Sequence, residues 1–221
     1  MKILAVDTSS EICGVCLLED NNFVDNNSLN NGMTHSENLM PLISEILIRN
    51  ELTLNDIGLI VCVVGPGSFT GIRIGVSTVK ALAEVNQIGI IEVTSLEVLV
   101  GNVENAETKV ALIDARNDQV YCGIFDKENN LLEDMIADSI DIAVSRMQKY
   151  NNIVCVGNGA IKYKELLISR IPNIEFCDVH EQCVEKCGKI GYKKFLENKM
   201  KDADEILPIY LRKSQAERMK K

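Results

Sequence analysis

The order of strands and helices that the sequence predicts occurs twice along the chain, and this duplication is the strongest constraint on its fold. Apolar runs and periodicities in the first hundred residues predict the order β-β-β-α-β-α-β-α. From residue 109 the order β-β-β-α-β-α is predicted again, without matching residues, and a last helix follows at 181–198. An architecture repeated in this way predicts an α/β chain of two β-β-β-α-β-α lobes.

The two predicted lobes are joined by the only polar, linker-like stretch between the halves, Asn102 to Thr108. We therefore expect an N-terminal lobe at 1–102 and a C-terminal lobe with a tail at 103–221. The last helix has an alternative position, packed back on the first lobe. The tail from residue 212 is basic and is expected to be a solvated end.

Composition excludes several classes of protein. Of the 221 residues, 46% are hydrophobic, which is enough for a sizeable core. The formal net charge of −9 disfavours a strong independent grip on nucleic acid. No secretory leader or membrane span is recognisable, because Asp7 interrupts the apolar start of the chain. The sequence thus predicts a cytoplasmic protein without membrane contacts, in which the eight cysteines are reduced.

Two loops have residues suited to a phosphate group. Asp7, Thr8 and Ser9 end the first strand, and a carboxylate with hydroxyls can face a phosphate or its magnesium ion. The glycine-rich run from Gly65 through Gly67 and Ser68 joins a buried strand to a helix, where backbone N–H groups favour anions. Neither loop has a P-loop or dinucleotide-binding spacing. Plain turns, the second with Ser68 as helix cap, are the alternative for both.

Cysteines and a histidine give two further patterns. Cys13 and Cys16 form a C-x-x-C, but residues i and i+3 of a strand point to opposite faces, which argues against a redox pair. His180, Cys183 and Cys187 would lie on one side of the predicted last helix. They are either zinc ligands in need of a fourth partner or an ordinary core face, and the sequence does not decide between these.

Several short motifs, taken in order, resemble one known family. They are Asp7-Thr8-Ser9, Thr34-His35-Ser36-Glu37, the run from Gly65 to Gly75, Asp114-Ala115-Arg116 and Pro208-Ile209-Tyr210-Leu211-Arg212. Together they resemble the TsaB (YeaZ) family of bacterial tRNA threonylcarbamoyladenosine biosynthesis proteins. The run from Gly65 to Gly75 is the most specific, and the resemblance spans nearly the whole chain.

The resemblance implies an actin-like, Hsp70-like (ASKHA) fold, which agrees with the duplicated pattern. It also implies a partner subunit for TsaD, the related subunit that transfers a threonylcarbamoyl group to an adenosine beside the tRNA anticodon. The ATPase TsaE joins them, and tRNA is reached only through the complex. ATP and metal are then expected on the partner subunits, with no cofactor required by this chain.

A missing metal-ligand motif carries the expectation that this chain is not itself the catalyst. The catalytic relative has His-x-Glu-Gly-His where this chain has Ser95-Leu96-Glu97-Val98-Leu99. Leucine offers no lone pair to a metal ion. The resemblance therefore implies a catalytically degenerate chain with neither a metal site nor catalytic residues, an inactive homologue of the glycoprotease-like (M22) group.

Two helices are the expected partner interface, on the basis of their broad apolar arcs and of the resemblance. The expected contacts on the first helix, 34–50, and the second, 68–86, are Leu39, Met40, Ile43, Leu47, Gly71, Ile74, Gly75, Thr78 and Leu82. Gly71 and Gly75 would allow close helix approach, so Gly75→Leu is expected to block association and leave a folded monomer. A homodimer could use the same patch, whereas burial inside the lobe is the alternative.

A different class of function is also compatible with this superfold. A small ATPase or sugar kinase would use Asp7 and the loop at Gly65–Gly67. A metallopeptidase is disfavoured by Ser95 and Leu99.

Overall fold

The computed structural model describes residues 1–31 and 34–212 and contains ten strands and seven α-helices within those ranges. In chain order the elements are β1 (Lys2–Asp7), β2 (Cys13–Glu19), β3 (Asn22–Leu29), α1 (His35–Arg49), β4 (Ile57–Val63), α2 (Phe69–Asn86), β5 (Gly89–Val93), α3 (Ser95–Val100), β6 (Thr108–Asp114), β7 (Gln119–Asp126), β8 (Leu131–Ser139), α4 (Ile140–Met147), β9 (Ile153–Val156), α5 (Asn158–Lys162), α6 (Lys164–Arg170), β10 (Glu175–Phe176) and α7 (Val184–Leu196).

The chain forms two compact units whose boundaries differ from the expected ones. Unit 1 comprises Met1–Ser95 and Cys183–Ile209, and unit 2 comprises Leu96–Gln182 and the residues from Tyr210 onward. The expected boundary at residue 102 is wrong, because Leu96, Leu99 and Val100 of α3 belong to an apolar cluster of unit 2. The last helix takes its alternative position in the first lobe, since α7 belongs to unit 1, and that alternative is confirmed.

Unit 1 is built on a five-stranded sheet in the order β3-β2-β1-β4-β5. The β1–β2 and β2–β3 pairs are antiparallel, and β1–β4 and β4–β5 are parallel. Helices α1 and α2 cover one face, where Leu17 and Ile60 enter a common core with Leu42 and Val79. Helix α7 lies on the opposite face, where Cβ atoms built at its two glycines would overlap Leu18 and Val61. Both faces of this sheet are therefore covered.

Unit 2 repeats this topology. Its sheet has the order β8-β7-β6-β9-β10, with antiparallel pairs β6–β7 and β7–β8 and parallel pairs β6–β9 and β9–β10. Helices α4, α5 and α6 supply Val144, Ala160 and Leu167 to the core against β6 and β7. The predicted duplication of a β-β-β-α-β-α order is thus present as two sheets of identical strand order.

Local differences from the sequence prediction have identifiable causes. Helix α1 begins at His35 and continues through Pro41, a residue that can delay the start of a helix. The N–H of Thr34 donates to Glu37 Oε2 at 3.0 Å, as part of a capping box. The second helix of the repeated β-β-β-α-β-α order, for which the sequence favours the range 160–170, is two helices that meet at Tyr163. The two-residue strand β10 was not predicted, since it is too short for a periodic pattern. The basic residues from 213 onward lie outside the described residues.

Candidate functional site

Asp7 lies at the end of β1 and is held by the chain itself. Its side chain is buried, with the residue 3% exposed. Both the backbone N–H and the hydroxyl of Ser9 donate to Asp7 Oδ1, at 2.9 and 2.7 Å. Burial raises the pKa of the Asp7 carboxyl, while the two bonds from Ser9 and the nearby His35 act in the opposite direction. A carboxylate in this position is poorly placed to meet a hydrated magnesium ion.

The glycine-rich loop is packed directly on the Asp7 turn. A Cβ at Gly67 would overlap the carbonyl oxygen of Ser9, so only glycine allows the backbones to approach this closely. The N–H of Ser68 donates to that carbonyl at 2.8 Å, and the Ser68 hydroxyl accepts from the N–H of Gly71 at 3.2 Å. The loop thus binds and caps neighbouring backbone. Phosphate binding by Asp7, Thr8, Ser9, Gly65, Gly67 and Ser68 stays a prediction, and this geometry argues against it.

Ser95 closes the same cluster from the end of the sheet. Its hydroxyl donates to Ser9 Oγ at 2.9 Å, and its N–H donates to the carbonyl of Gly65 at 2.9 Å. Leu99, the second position of the missing histidine pair, is 2% exposed and belongs to an apolar cluster with Phe125. A serine committed to a buried hydroxyl network and a leucine in an apolar core do not fit a metal ion.

No group of three or more histidine, cysteine, aspartate or glutamate side chains is placed to hold a metal ion within residues 1–31 and 34–212. The expectation that His180, Cys183 and Cys187 share one helix face is wrong. Helix α7 begins at Val184, with Cys183 as its N-cap, and His180 precedes it. Cys13, Cys16 and the other cysteines are all free thiols.

The interface residues expected on α1 and α2 divide into two groups. The buried group lies in the core of unit 1 and consists of Leu39, Ile43, Leu47, Gly71 and Gly75. A Cβ at Gly71 would overlap the Thr8 carbonyl oxygen, and a Cβ at Gly75 would overlap the Thr8 hydroxyl. These glycines therefore allow α2 to pack on the Asp7 turn. The expectation that they admit a partner helix, and that Gly75→Leu leaves a folded monomer, conflicts with this packing.

The second group is not fully buried, and three of its members, Met40, Ile74 and Thr78, line an open groove between α1 and α2. Met40 is 43% exposed, while Ile74, Thr78 and Leu82 are partly buried. The groove has a volume of about 340 Å³ and is lined by Ser36, Leu39, Met40, Arg73, Ile74, Ser77 and Thr78. Of these, Ser36, Arg73 and Ser77 were not expected as contacts, since a helical wheel puts Arg73 and Ser77 on the polar side of α2. Met40 and Ile74 give the groove its accessible apolar surface.

None of the helices in the described parts of the chain has the length and apolar character needed to cross a membrane.

Comparison with known proteins places this geometry in one family. A family model described as "TsaD: tRNA N6-adenosine threonylcarbamoyltransferase" matches residues 31–219. The tRNA threonylcarbamoyladenosine biosynthesis protein TsaB of Escherichia coli (strain K12) is 30% identical over 224 residues, which cover 98% of this chain and 96% of that protein.

Solved structures agree with this assignment. A Pseudomonas aeruginosa protein described as similar to peptidase YEAZ superposes with a TM-score of 0.81 and 26% identity, covering 96% of this chain and 99% of that one. An activator of 2-hydroxyisocaproyl-CoA dehydratase from Clostridium difficile, with bound ADPNP, has a TM-score of 0.54 and 11% identity, covering 95% and 100%. This second likeness concerns the fold alone. The predicted actin-like α/β fold is confirmed, and the chain belongs to the TsaB (YeaZ) family, within the wider group that the TsaD model describes.

Proposed function

We propose that this chain is a non-catalytic subunit that binds and activates the catalytic TsaD subunit, which adds threonylcarbamoyl to tRNA. Membership of the TsaB family supports a role in the biosynthesis of threonylcarbamoyladenosine in tRNA. Binding and activation of TsaD are the further step. TsaE is the third protein of the complex, which works in the cytoplasm, and tRNA is bound through the complex. The chain itself needs no cofactor, while ATP and the metal ion belong to the partner subunits.

The observation that carries the proposal is the closure of the Asp7 turn. Ser9 donates to the Asp7 carboxylate, and Ser95 and Ser68 donate in turn to Ser9, so these polar groups are engaged by neighbouring residues of the chain. A nucleotide- or metal-dependent active site needs polar groups that are accessible to its ligand. Because the polar groups around Asp7 are engaged within the chain while the fold is retained, we favour a chain that acts by contact with another protein.

The groove between α1 and α2 is the proposed contact surface. Met40 and Ile74 offer apolar atoms, with Arg73, Ser36 and Ser77 as polar neighbours. An apolar centre bordered by polar side chains is typical of a protein interface. The same groove serves a symmetric homodimer when TsaD is absent, so the two associations compete.

The decisive experiment mixes the purified chain with TsaD and TsaE from the same genome. We expect size-exclusion chromatography to detect a complex with TsaD. We also expect tRNA modification to require the chain in addition to TsaD, and to be absent when the chain is incubated alone with donor and tRNA. Modification by the isolated chain, or an undiminished rate without it, would contradict the proposal.

The alternative of a small ATPase or sugar kinase is tested in the same preparation. An ATPase or kinase would require an accessible Asp7, but this residue is only 3% exposed. We expect no ATP turnover by the isolated chain with magnesium present. Turnover that is lost in Asp7→Asn would favour the alternative.

A further inference from the structure

Helix α7 and the segment after it form a cationic surface on an acidic chain. Residues 184–201 contain six lysines and two glutamates, a net charge of +4, whereas the rest of the chain has a net charge of −13. This segment of unit 1 is therefore positively charged, although the chain as a whole is negatively charged. A local reversal of charge of this size calls for a partner with negative charge.

Three of the lysines form a stripe on α7. Lys186, Lys189 and Lys193 fall within an arc of roughly 60° at 100° per residue. The buried residues of the helix, Val184, Cys187, Gly188 and Gly191, lie on its opposite side, against the sheet. The axial spacings are about 4.5 and 6 Å at a rise of 1.5 Å per residue. We call Lys186, Lys189 and Lys193 the lysine stripe, which faces away from the sheet.

Structural roles within unit 1 do not account for the whole stripe. Lys193 and Lys194 are in the last turn, where cations favour the helix dipole, but Lys186 is in the first turn, where the dipole disfavours a cation. Lys189 pairs with Glu185 at 2.6 Å. Among the described residues, Lys186 and Lys193 have no carboxylate within ion-pair distance. Two of the three charges are therefore available to an external anion.

The remaining lysines of the segment are engaged locally. Lys201 pairs with Glu92 at 2.5 Å, Lys199 pairs with Glu197 at 2.7 Å, and Lys194 donates to the Glu92 carbonyl at 3.0 Å. They contribute to the local electrostatic potential, whereas Lys186 and Lys193 of the stripe are available to contact a ligand. The lysine stripe also lies on the opposite face of the sheet from α1 and α2, so it remains accessible when the groove is occupied.

We propose that the lysine stripe contacts the phosphate backbone of the tRNA that the complex modifies. This inference rests on the proposed function, because it takes the polyanion from the substrate of the complex. Lysines act as point charges on phosphates and carry no base specificity. The contact is consistent with a chain of net charge −9 that binds tRNA weakly alone, since the stripe adds to a grip held mainly by the partner.

The test replaces the three stripe lysines together, as Lys186→Gln, Lys189→Gln and Lys193→Gln. A control chain carries Lys127→Gln, Lys149→Gln and Lys164→Gln, three exposed lysines of unit 2 with the same change in charge. Circular dichroism checks folding, and size-exclusion chromatography checks complex formation with TsaD. The affinity of each assembled complex for tRNA is then measured between 50 and 200 mM salt.

We expect both chains to fold and to form the complex. In the stripe variant, tRNA affinity falls and the salt dependence weakens by about 0.7–0.9 in log–log slope per lost phosphate contact, or by about 1.4–1.8 for the two unpaired lysines. A salt slope equal to that of the control overturns the inference. Loss of complex formation by the stripe variant also overturns it, because the surface would then bind an acidic protein.

Failure of the proposed function gives a different result. If the unmodified chain forms no complex, the function proposed above is wrong, and tRNA binding is measured on the isolated chains at 50 mM salt. Weaker binding by the stripe variant than by the control then still supports the inference, and equal binding overturns it.

Discussion

Gly75 of α2 lies against Thr8, so closely that a Cβ at position 75 would overlap the Thr8 hydroxyl. That hydroxyl donates to the carbonyl of Gly71 at 2.8 Å, one turn earlier in α2. The contact joins α2 to the Asp7 turn across 63 residues of sequence. Its position makes Gly75 a packing residue of unit 1.

Gly75→Ala is therefore expected to destabilise the protein. Overpacking costs about 1–3 kcal/mol, and the gain in helix propensity of up to about 1 kcal/mol does not offset it. Gly75→Leu should be more severe and should give little folded monomer. Urea unfolding measures both effects.

Gly58→Ala is the matched control. A Cβ there would lie 2.7 Å from Met1 Cγ, at a flexible side chain that can move aside. We expect a change within about 0.5 kcal/mol. Equal free energies of unfolding for Gly75→Ala and Gly58→Ala would show that the Thr8 side chain moves aside at little cost and would contradict the prediction.

The burial of Asp7 predicts a characteristic pH dependence. Because its pKa is raised on folding, the folded protein holds this proton more tightly than the unfolded chain. The stabilising contribution is thus fully present below the unfolded pKa of about 4 and is lost as the pH rises through the folded pKa. Asp7→Asn removes this titration, so its stability relative to the unmodified protein should increase with pH. Urea unfolding at pH 4 to 8 measures the difference, and a difference independent of pH would contradict the assignment.

Thiol reactivity should follow burial. Burial raises the pKa of Cys13 to about 11 and that of Cys16 and Cys122 to about 12. Since the thiolate is the reactive form, these thiols should resist alkylation of the native protein at pH 8. Cys177 and Cys183, which are partly exposed, should react first. Mass spectrometry after brief iodoacetamide treatment locates the labels, and early labelling of Cys13 or Cys16 would contradict the structure.

The sequence predicted the elements of the fold well, because each strand and helix is defined by local periodicity. The apolar run at 2–7 predicts a strand that coincides with β1, and the run at 58–64 predicts one that differs from β4 by one residue at each end. The duplicated order also predicted two sheets. The unit boundary was missed, since the attachment of α3 to unit 2 depends on contacts between distant residues. The position of α7 in unit 1 agrees with the alternative that the sequence left open for the last helix.

The candidate site was only partly predictable for the same reason. The wheel of α2 has an apolar arc wider than one sheet face needs, but the sequence does not say what covers the excess. The structure covers Gly71 and Gly75 with Thr8. Likewise, the Asp7 and Gly65 loops could be identified as polar turns, but their packing on each other through Gly67 could not.

The groove between α1 and α2 leads to a prediction about partner binding. Met40 and Ser77 line the groove from α1 and α2 and are both exposed, Met40 to 43%, so charge can be introduced there with little effect on the core. Met40→Asp combined with Ser77→Asp should prevent association with TsaD, because two carboxylates would be buried unpaired at the contact. Ile168→Asp is the control, since Ile168 is 56% exposed on α6 of unit 2. We expect the groove variant to weaken binding in isothermal titration by at least tenfold, with the control unchanged and both chains folded by circular dichroism. Unimpaired binding by the groove variant would place the partner surface elsewhere on the chain.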